Sequence, residues 1–178
     1  MDSVEHCACF RRNRRLGLLE RYYEPDVMEA FRGDHRYFMI GISNNYHQLD
    51  QVREGVRKPD EREAFLLEQE KRECEIFGRL ADLGMRPLVG TDAGCGYTFF
   101  DETWLEMELL CRRCGLTPEK AIHAATLEGA RALGYGDFLG RLAPGYEADF
   151  IAAAQNPIQD IEAFRHIKHV VCRGKIIE

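Results

Sequence analysis

No stretch of 18 consecutive apolar residues occurs in this sequence, which excludes a membrane-spanning helix. Internal repeats, low-complexity tracts and Ser/Gly-rich linkers are also missing, so neither a solenoid nor a string of tethered modules is expected. A basic excess is absent: 24 Lys and Arg stand against 30 Asp and Glu, for a net charge of −6. That balance argues against a general nucleic-acid binder. The first residues, MDSVEHCACFRRNRR, place an acid and a His before the arginines, and no apolar segment follows. A secretory signal is therefore not expected. Seven Cys without such a signal point to reduced thiols and a cytoplasmic location rather than a disulfide framework. What remains is ordinary for a globular chain: 178 residues, 45% apolar and 30% charged, enough for one domain or one and a part.

The order of elements is informative. Ser3-Val4-Glu5-His6 reads as the end of a short strand. The basic stretch Arg11-Arg12-Asn13-Arg14-Arg15 reads as a solvated helix or loop face. Pro25-Asp26 opens a short amphipathic helix to about Phe31, ended by Gly33-Asp34. Tyr37-Phe38-Met39-Ile40-Gly41-Ile42-Ser43 is an apolar run without alternation, as in a strand covered on both faces. A long helix is expected from Pro59 to about Leu83, with Phe65, Leu66, Ile76, Phe77, Leu80 and Leu83 at helical spacing and Gly84 terminating it. A second buried strand, Pro87-Leu88-Val89-Gly90-Thr91, ends at Asp92. The loop Ala93-Gly94-Cys95-Gly96 and a helix over about 102–114 follow. Thr117 and Pro118 start a further helix, and Thr126 can cap the one after it. Alternating strands and helices with buried strands indicate an α/β fold with a parallel sheet. After Gly134 the pattern changes to short strands at 139–142 and 148–152, around the turn Pro144-Gly145, and a terminal hairpin, 169–172 with 175–177.

Two residues stand at strand C-termini, where α/β folds carry their chemistry: His6 and Asp92. Taken singly, a strand-end Asp is most often a turn residue and a lone His a hydrogen-bonded structural one. Other groups are weaker. Cys7-x-Cys9 and Cys111-x-x-Cys114 lack the compact spacing of a Cys₄ zinc site, and the second pair ends a helix rather than starting one, unlike a redox CxxC. His166 and His169 read as structural or exposed, and His123 as a packing residue. Asn44, Asn45, Tyr46 and His47 follow the first buried strand, and Asn44 and Tyr46 are candidate substrate contacts, although a plain polar loop is the simpler reading. Gly94-x-Gly96 lacks the third Gly and the distant acid of a dinucleotide loop.

Beyond these residues lies an ordered set of packing and turn positions: Thr117-Pro118-Glu119, Ala132-Leu133-Gly134, Gly140, Pro144-Gly145, Ala148-Asp149 and Gly174-Lys175. Together with Asp2-Ser3-Val4-Glu5-His6 and Gly90-Thr91-Asp92, this set resembles the C-terminal part of the metal-dependent amidohydrolase superfamily, nearest its imidazolonepropionase-like and prolidase-like members. The resemblance is weakest over 7–83, where only the order of elements matches. It implies about strands six to eight of a (β/α)₈ barrel over residues 1–134 and a segment of a small β-sandwich over 135–178. It also implies that His6 is a metal ligand and that Asp92 both touches the metal and moves a proton. The reaction implied is hydrolysis of carbon–nitrogen bonds in amide, cyclic amide or dipeptide-like small molecules, with a divalent ion, Zn above all, as cofactor.

A barrel takes about 250 residues, and a catalytic zinc usually has three protein ligands. The His-x-His pair of the family's first strand is absent here, as are its Lys and His from strands four and five. The expectation is a chain that binds metal weakly and does not turn over alone: an inactive gene fragment, or a subunit that needs a complementary N-terminal half or a homo-oligomer. Met1 is expected to be an internal Met of a longer gene.

Overall fold

The computed structural model describes residues 3–6, 8–33 and 35–177. Met1, Asp2, Cys7 and Asp34, named above, lie outside the described residues. In chain order the elements are β1 (Ser3–Val4), β2 (Cys9–Arg12), β3 (Leu19–Tyr22), α1 (Pro25–Glu29), β4 (Tyr37–Phe38), α2 (Asp50–Arg53), α3 (Glu61–Asp82), β5 (Arg86–Pro87), α4 (Thr103–Cys114), α5 (Pro118–Ala125), α6 (Leu127–Ala132), β6 (Phe150–Ala153), β7 (Ile167–Cys172) and β8 (Lys175–Ile176). Short 3₁₀ segments lie at His47–Leu49 and Ile161–Arg165.

The apolar run around residue 38 forms the middle of a parallel sheet ordered β1-β4-β5. Val4 pairs with Phe38 and Phe38 with Pro87. The paired ladders are only two residues long, shorter than the runs 37–43 and 87–91 suggest. Ile40 and Ile42 remain in the core beyond the ladder. Phe38 is fully buried and meets the Phe77 ring edge-on at 5.0 Å. Ile76, Leu80 and Leu83 from α3 and Leu105, Leu109 and Leu110 from α4 complete this core. Gly90 leaves room for Met39: a Cβ there would lie 1.7 Å from the Met39 sulfur and force that side chain to move.

Helix α3 begins two residues later than Pro59 suggests. Asp60 caps it, accepting from the Glu63 N–H, while the Glu63 carboxylate accepts from the Asp60 N–H. This reciprocal capping box fixes the start. The α4 and α5 boundaries follow the expected signals: Gly115 closes α4 at φ 74° and Thr117 caps α5. Thr126 is a different case. It stands at the start of α6, but its hydroxyl donates back to the Ile122 carbonyl and caps nothing.

Three expectations are corrected. The basic stretch 11–15 is solvated, as expected, but it is not helix and not all loop. It is the end of β2 and the turn of an antiparallel hairpin with β3, in which the Asn13 side chain accepts from the Arg15 and Leu16 N–H groups and Gly17 takes φ 69°. Residues 139–142 form bends rather than a strand. Gly140, at φ 89°, brings this segment so close to α6 that a Cβ would sit 2.7 Å from Leu127 Cα and 2.8 Å from the Thr126 carbonyl oxygen. His123 is exposed rather than packed.

The C-terminal region is a three-stranded antiparallel sheet ordered β6-β7-β8. The β7–β8 turn places Arg173 and Gly174 at φ 50° and 73°, as a tight hairpin requires. Its attachment to the helical part is both apolar and ionic: Ile161 and Phe164 pack in one cluster with Met107 and Ala121. Arg165 forks onto the buried Glu108 carboxylate of α4 with bonds of 2.7–3.0 Å, and its guanidinium lies 4.5 Å from the Trp104 ring.

Gly140→Ala combines backbone overlap with a left-handed conformation and is expected to lower unfolding stability by about 3 kcal/mol or more. Gly134→Ala, also at positive φ but with open space around the new methyl, is expected to cost about 1 kcal/mol. Urea unfolding midpoints of the two variants check the ordering.

Candidate active site

His6 follows β1 by two residues and Asp92 follows β5 by five, so both stand past the C-terminal ends of the outer strands of the parallel sheet. The structure brings them together: His6 Nε2 lies 3.4 Å from Asp92 Oδ2. Both residues adopt left-handed backbone conformations, φ 56° at His6 and 52° at Asp92. Non-glycine residues are uncommon there, and such strain concentrates where side chains must be aimed. About a third of each side chain is exposed, 39% and 35%. The pair is thus accessible from solvent.

The two donors can be tested against a metal from their spacing. At 3.4 Å they are beyond the usual hydrogen-bond range. Two nitrogen or oxygen donors on a tetrahedral ion at about 2.0–2.1 Å stand about 3.3 Å apart. An imidazole and a carboxylate are also the donor types that Zn accepts. The pair therefore fits two corners of such a site. Among the described residues no cluster of three or more His, Cys, Asp or Glu side chains is placed to hold an ion. Cys111 and Cys114 do not converge on a shared site: Cys111 packs in the cluster of Met107 and Ala121, Cys114 in that of Phe38 and Leu110.

The loops around the pair are tied to each other. Asn44 Oδ1 accepts from the Thr98 hydroxyl at 2.9 Å, linking the segment after β4 to the one after Asp92. The Asp92 loop is itself a compact turn, with Cys95 N–H donating to the Asp92 carbonyl and Gly94 N–H to the Thr98 carbonyl, each at 3.0 Å. Tyr46 is otherwise engaged. Its ring lies 4.4 Å from the Arg53 guanidinium and 5.2 Å from that of Arg113. His47 bridges Asp50 at 3.0 Å and Glu102 at 2.7 Å. Burial alone would lower its pKa, but Glu102 and Asp50 outweigh that and raise it.

The residue that sequence reading missed is Glu106. It is fully buried on α4 and accepts from the Ile42 and Ser43 N–H groups, both at 2.8 Å. Burial pushes its carboxyl up to about 7, against the pull of these bonds, and the Asp92 carboxylate adds to the rise. Glu73 is likewise pushed up to about 7 by burial, although Arg21 stands 2.8 Å away. Glu73 and Arg21 line a narrow crevice beneath His6 with Ala8, Ile40 and Ile76. The sequence signal for both acids was slight: each sits at helical spacing from core residues, Glu73 three positions before Ile76 and Glu106 three before Leu109.

A larger cleft, about 940 Å³, lies elsewhere, between α4–α6 and the β6–β7 sheet. Phe100, Trp104, Leu127, Phe150 and Phe164 make it predominantly apolar. Size alone would make it the default ligand site. The His6–Asp92 pair is the stronger candidate, because it unites two chemically active groups at strand ends.

Glu73 and Glu106 hold a proton more tightly folded than unfolded. Their contribution is therefore fully present below the ordinary carboxylate range of about 4.3 and is lost as pH rises through about 7. His47, also raised, acts with the same sign. Melting curves between about pH 5 and pH 8 are expected to show Tm falling, with a loss on the order of 2 kcal/mol per carboxyl. Glu106→Gln is expected to flatten the slope.

Comparison with known proteins supplies the family. The amidohydrolase family pattern matches residues 40–177. Imidazolonepropionase of Deinococcus deserti is 42% identical over 83 residues, 47% of this chain and 21% of that protein. Imidazolonepropionase of Geobacillus thermodenitrificans is 30% identical over 164 residues, 85% of this chain and 38% of that protein. Among solved structures, Aspergillus niger ochratoxinase superposes with a TM-score of 0.72 at 25% identity, covering 99% of this chain and 37% of that one. The chain thus spans between about a fifth and two fifths of these proteins. With the family pattern covering well over half of its residues, this chain belongs to the amidohydrolase family.

Proposed function

We propose that the chain is the C-terminal part of a metal-dependent amidohydrolase, with residues 1–134 supplying about strands six to eight of a (β/α)₈ barrel and residues 135–178 part of the adjoining β-sandwich. The reaction is hydrolysis of carbon–nitrogen bonds in amide, cyclic amide or dipeptide-like small molecules, and the compartment is the cytoplasm. One observation carries the reading: the 3.4 Å approach of His6 Nε2 and Asp92 Oδ2 past the C-terminal ends of parallel strands. Family membership supports it.

A divalent ion, Zn above all, would lower the pKa of a bound water and polarise the scissile carbonyl. His6 and Asp92 would be the residues that hold it. Asp92 would also take a proton from the attacking water and return it to the departing amine. Asn44 holds the loop that carries Asp92 in place through Thr98. Two donors fall short of the three protein ligands of a catalytic zinc. Activity therefore belongs to an assembly that supplies the remaining ligands, and the chain alone behaves as a non-catalytic part.

Zinc titration of the purified chain by calorimetry is expected to show one weak site. His6→Ala and Asp92→Asn should each weaken it at least about tenfold, and His47→Ala should leave it unchanged. An amidase assay of the chain alone is expected to read background. Zinc binding indifferent to both site variants would overturn the reading.

A further inference from the structure

Among the described residues one pair of thiols is in contact. Cys74 on α3 and Cys114 on α4 have their sulfurs 2.7 Å apart. No disulfide joins them: all six described cysteines are free. Cys95 and Cys172 are exposed, whereas Cys74 and Cys114 are half-buried where α3 and α4 meet. One turn before Cys74, Glu70 pairs at 3.0 Å with Arg113, the neighbour of Cys114. The two contacts form consecutive rungs between the helices.

We propose that Cys74 and Cys114 are a reversible redox site, oxidised by a low-molecular-weight disulfide of the glutathione class to an intramolecular disulfide that staples α3 to α4. The Cys74 thiolate attacks one sulfur of the glutathione disulfide, forming a mixed disulfide and releasing one glutathione thiolate. Cys114 then loses its proton and attacks the Cys74 sulfur, forming the Cys74–Cys114 bond and expelling the second glutathione. The protein pair loses two protons and two electrons, and the reagent takes up both to become two thiols. Excess reduced glutathione reverses both steps.

Geometry supports this order. Cys114 is the last residue of α4, followed by Gly115 at φ 74°, so its sulfur can travel the remaining distance of about 0.7 Å to bonding length without disturbing an interior helical turn. Cys74 lies deep within the 22-residue α3 and supplies the fixed partner. The roles are also unequal. The hydrogen bond from Cys114 pulls the Cys74 pKa down against burial, and the same contact, reinforced by burial, pushes the Cys114 pKa up. Cys74 is thus the attacking thiol and Cys114 the resolving one. The bond would enclose residues 75–113, which include β5 and Asp92, in one covalent loop. This proposal stands independently of the metal reading.

The test is equilibration of the folded, reduced chain across a range of reduced to oxidised glutathione ratios, followed by alkylation and peptide mapping. The expected product is a single cross-linked species joining Cys74 to Cys114, two hydrogens lighter than the reduced chain, with a melting temperature several degrees higher. Cys114→Ser should trap glutathione on Cys74, and Cys74→Ser should leave Cys114 unmodified under the same conditions. The same chain unfolded in urea should lose the preference for this pair, which covers the case of a variant that fails to fold. Free Cys74 and Cys114 at every ratio that modifies Cys95 and Cys172 would overturn the proposal. So would a cross-link joining other cysteines, such as Cys111 to Cys114.

Discussion

The geometry around the strand ends depends on one buried carboxylate. Glu106 reaches from α4 to accept both N–H groups at Ile42 and Ser43, where the chain has already left the parallel ladder. Those donors would otherwise be buried without partners, at a cost of about 1–3 kcal/mol each. The Glu106 carboxyl serves both at once, with Oε1 accepting from Ile42 and Oε2 from Ser43. The segment so anchored continues into Asn44, and Asn44 holds Thr98, which closes the loop begun at Asp92. A chain of three side-chain links thus runs from the helix layer to the candidate site. The elevated pKa of Glu106 is the mark of its burial, not evidence of proton transfer.

Much of this was legible in the sequence, and the rest was hidden for definite reasons. His6 and Asp92 stood out because each ends an expected strand, and strand C-termini in parallel sheets face the open end of the fold. The start of α5 was equally plain, since Thr117 and Pro118 have local conformational meanings. The β2–β3 hairpin was hidden because its strand Cys9-Phe10-Arg11-Arg12 shows no alternation. It docks through charge instead: Arg21 meets Glu73, Arg72 meets Glu20, and the Arg21 N–H donates to Gln69 on α3. Glu20, held between Arg11 and Arg72, has its carboxyl drawn down to about 2. Hydrophobic patterning cannot register an interface made of matched charges fifty residues apart in sequence.

The same limitation explains Glu73, Glu106 and Glu108. A scan for amphipathic helices assigns acids to the solvated face, yet α3 and α4 turn several of theirs inward. Each inward acid has a stated partner. Glu73 faces Arg21, Glu106 faces backbone amides, and Glu108 receives the fork of Arg165. Burial of a charge without such a partner would cost several kcal/mol. The acids therefore specify which segments lie against the helices: the hairpin on α3, the strand-end loop and the β6–β8 region on α4.

Such anchoring explains how strands of two paired residues can support an ordered site. A two-residue ladder offers too few backbone bonds to fix the direction of the loops beyond it, and the twist of parallel strands spreads those loops further. Here the helices take over where the ladder stops, with Glu106 on one loop and the Thr98–Asn44 bond joining it to the next. Left-handed backbone conformations at His6 and Asp92 accompany the approach of their side chains to 3.4 Å. The sheet sets where the pair begins, and buried polar links from the helices, rather than further strand pairing, set where it meets.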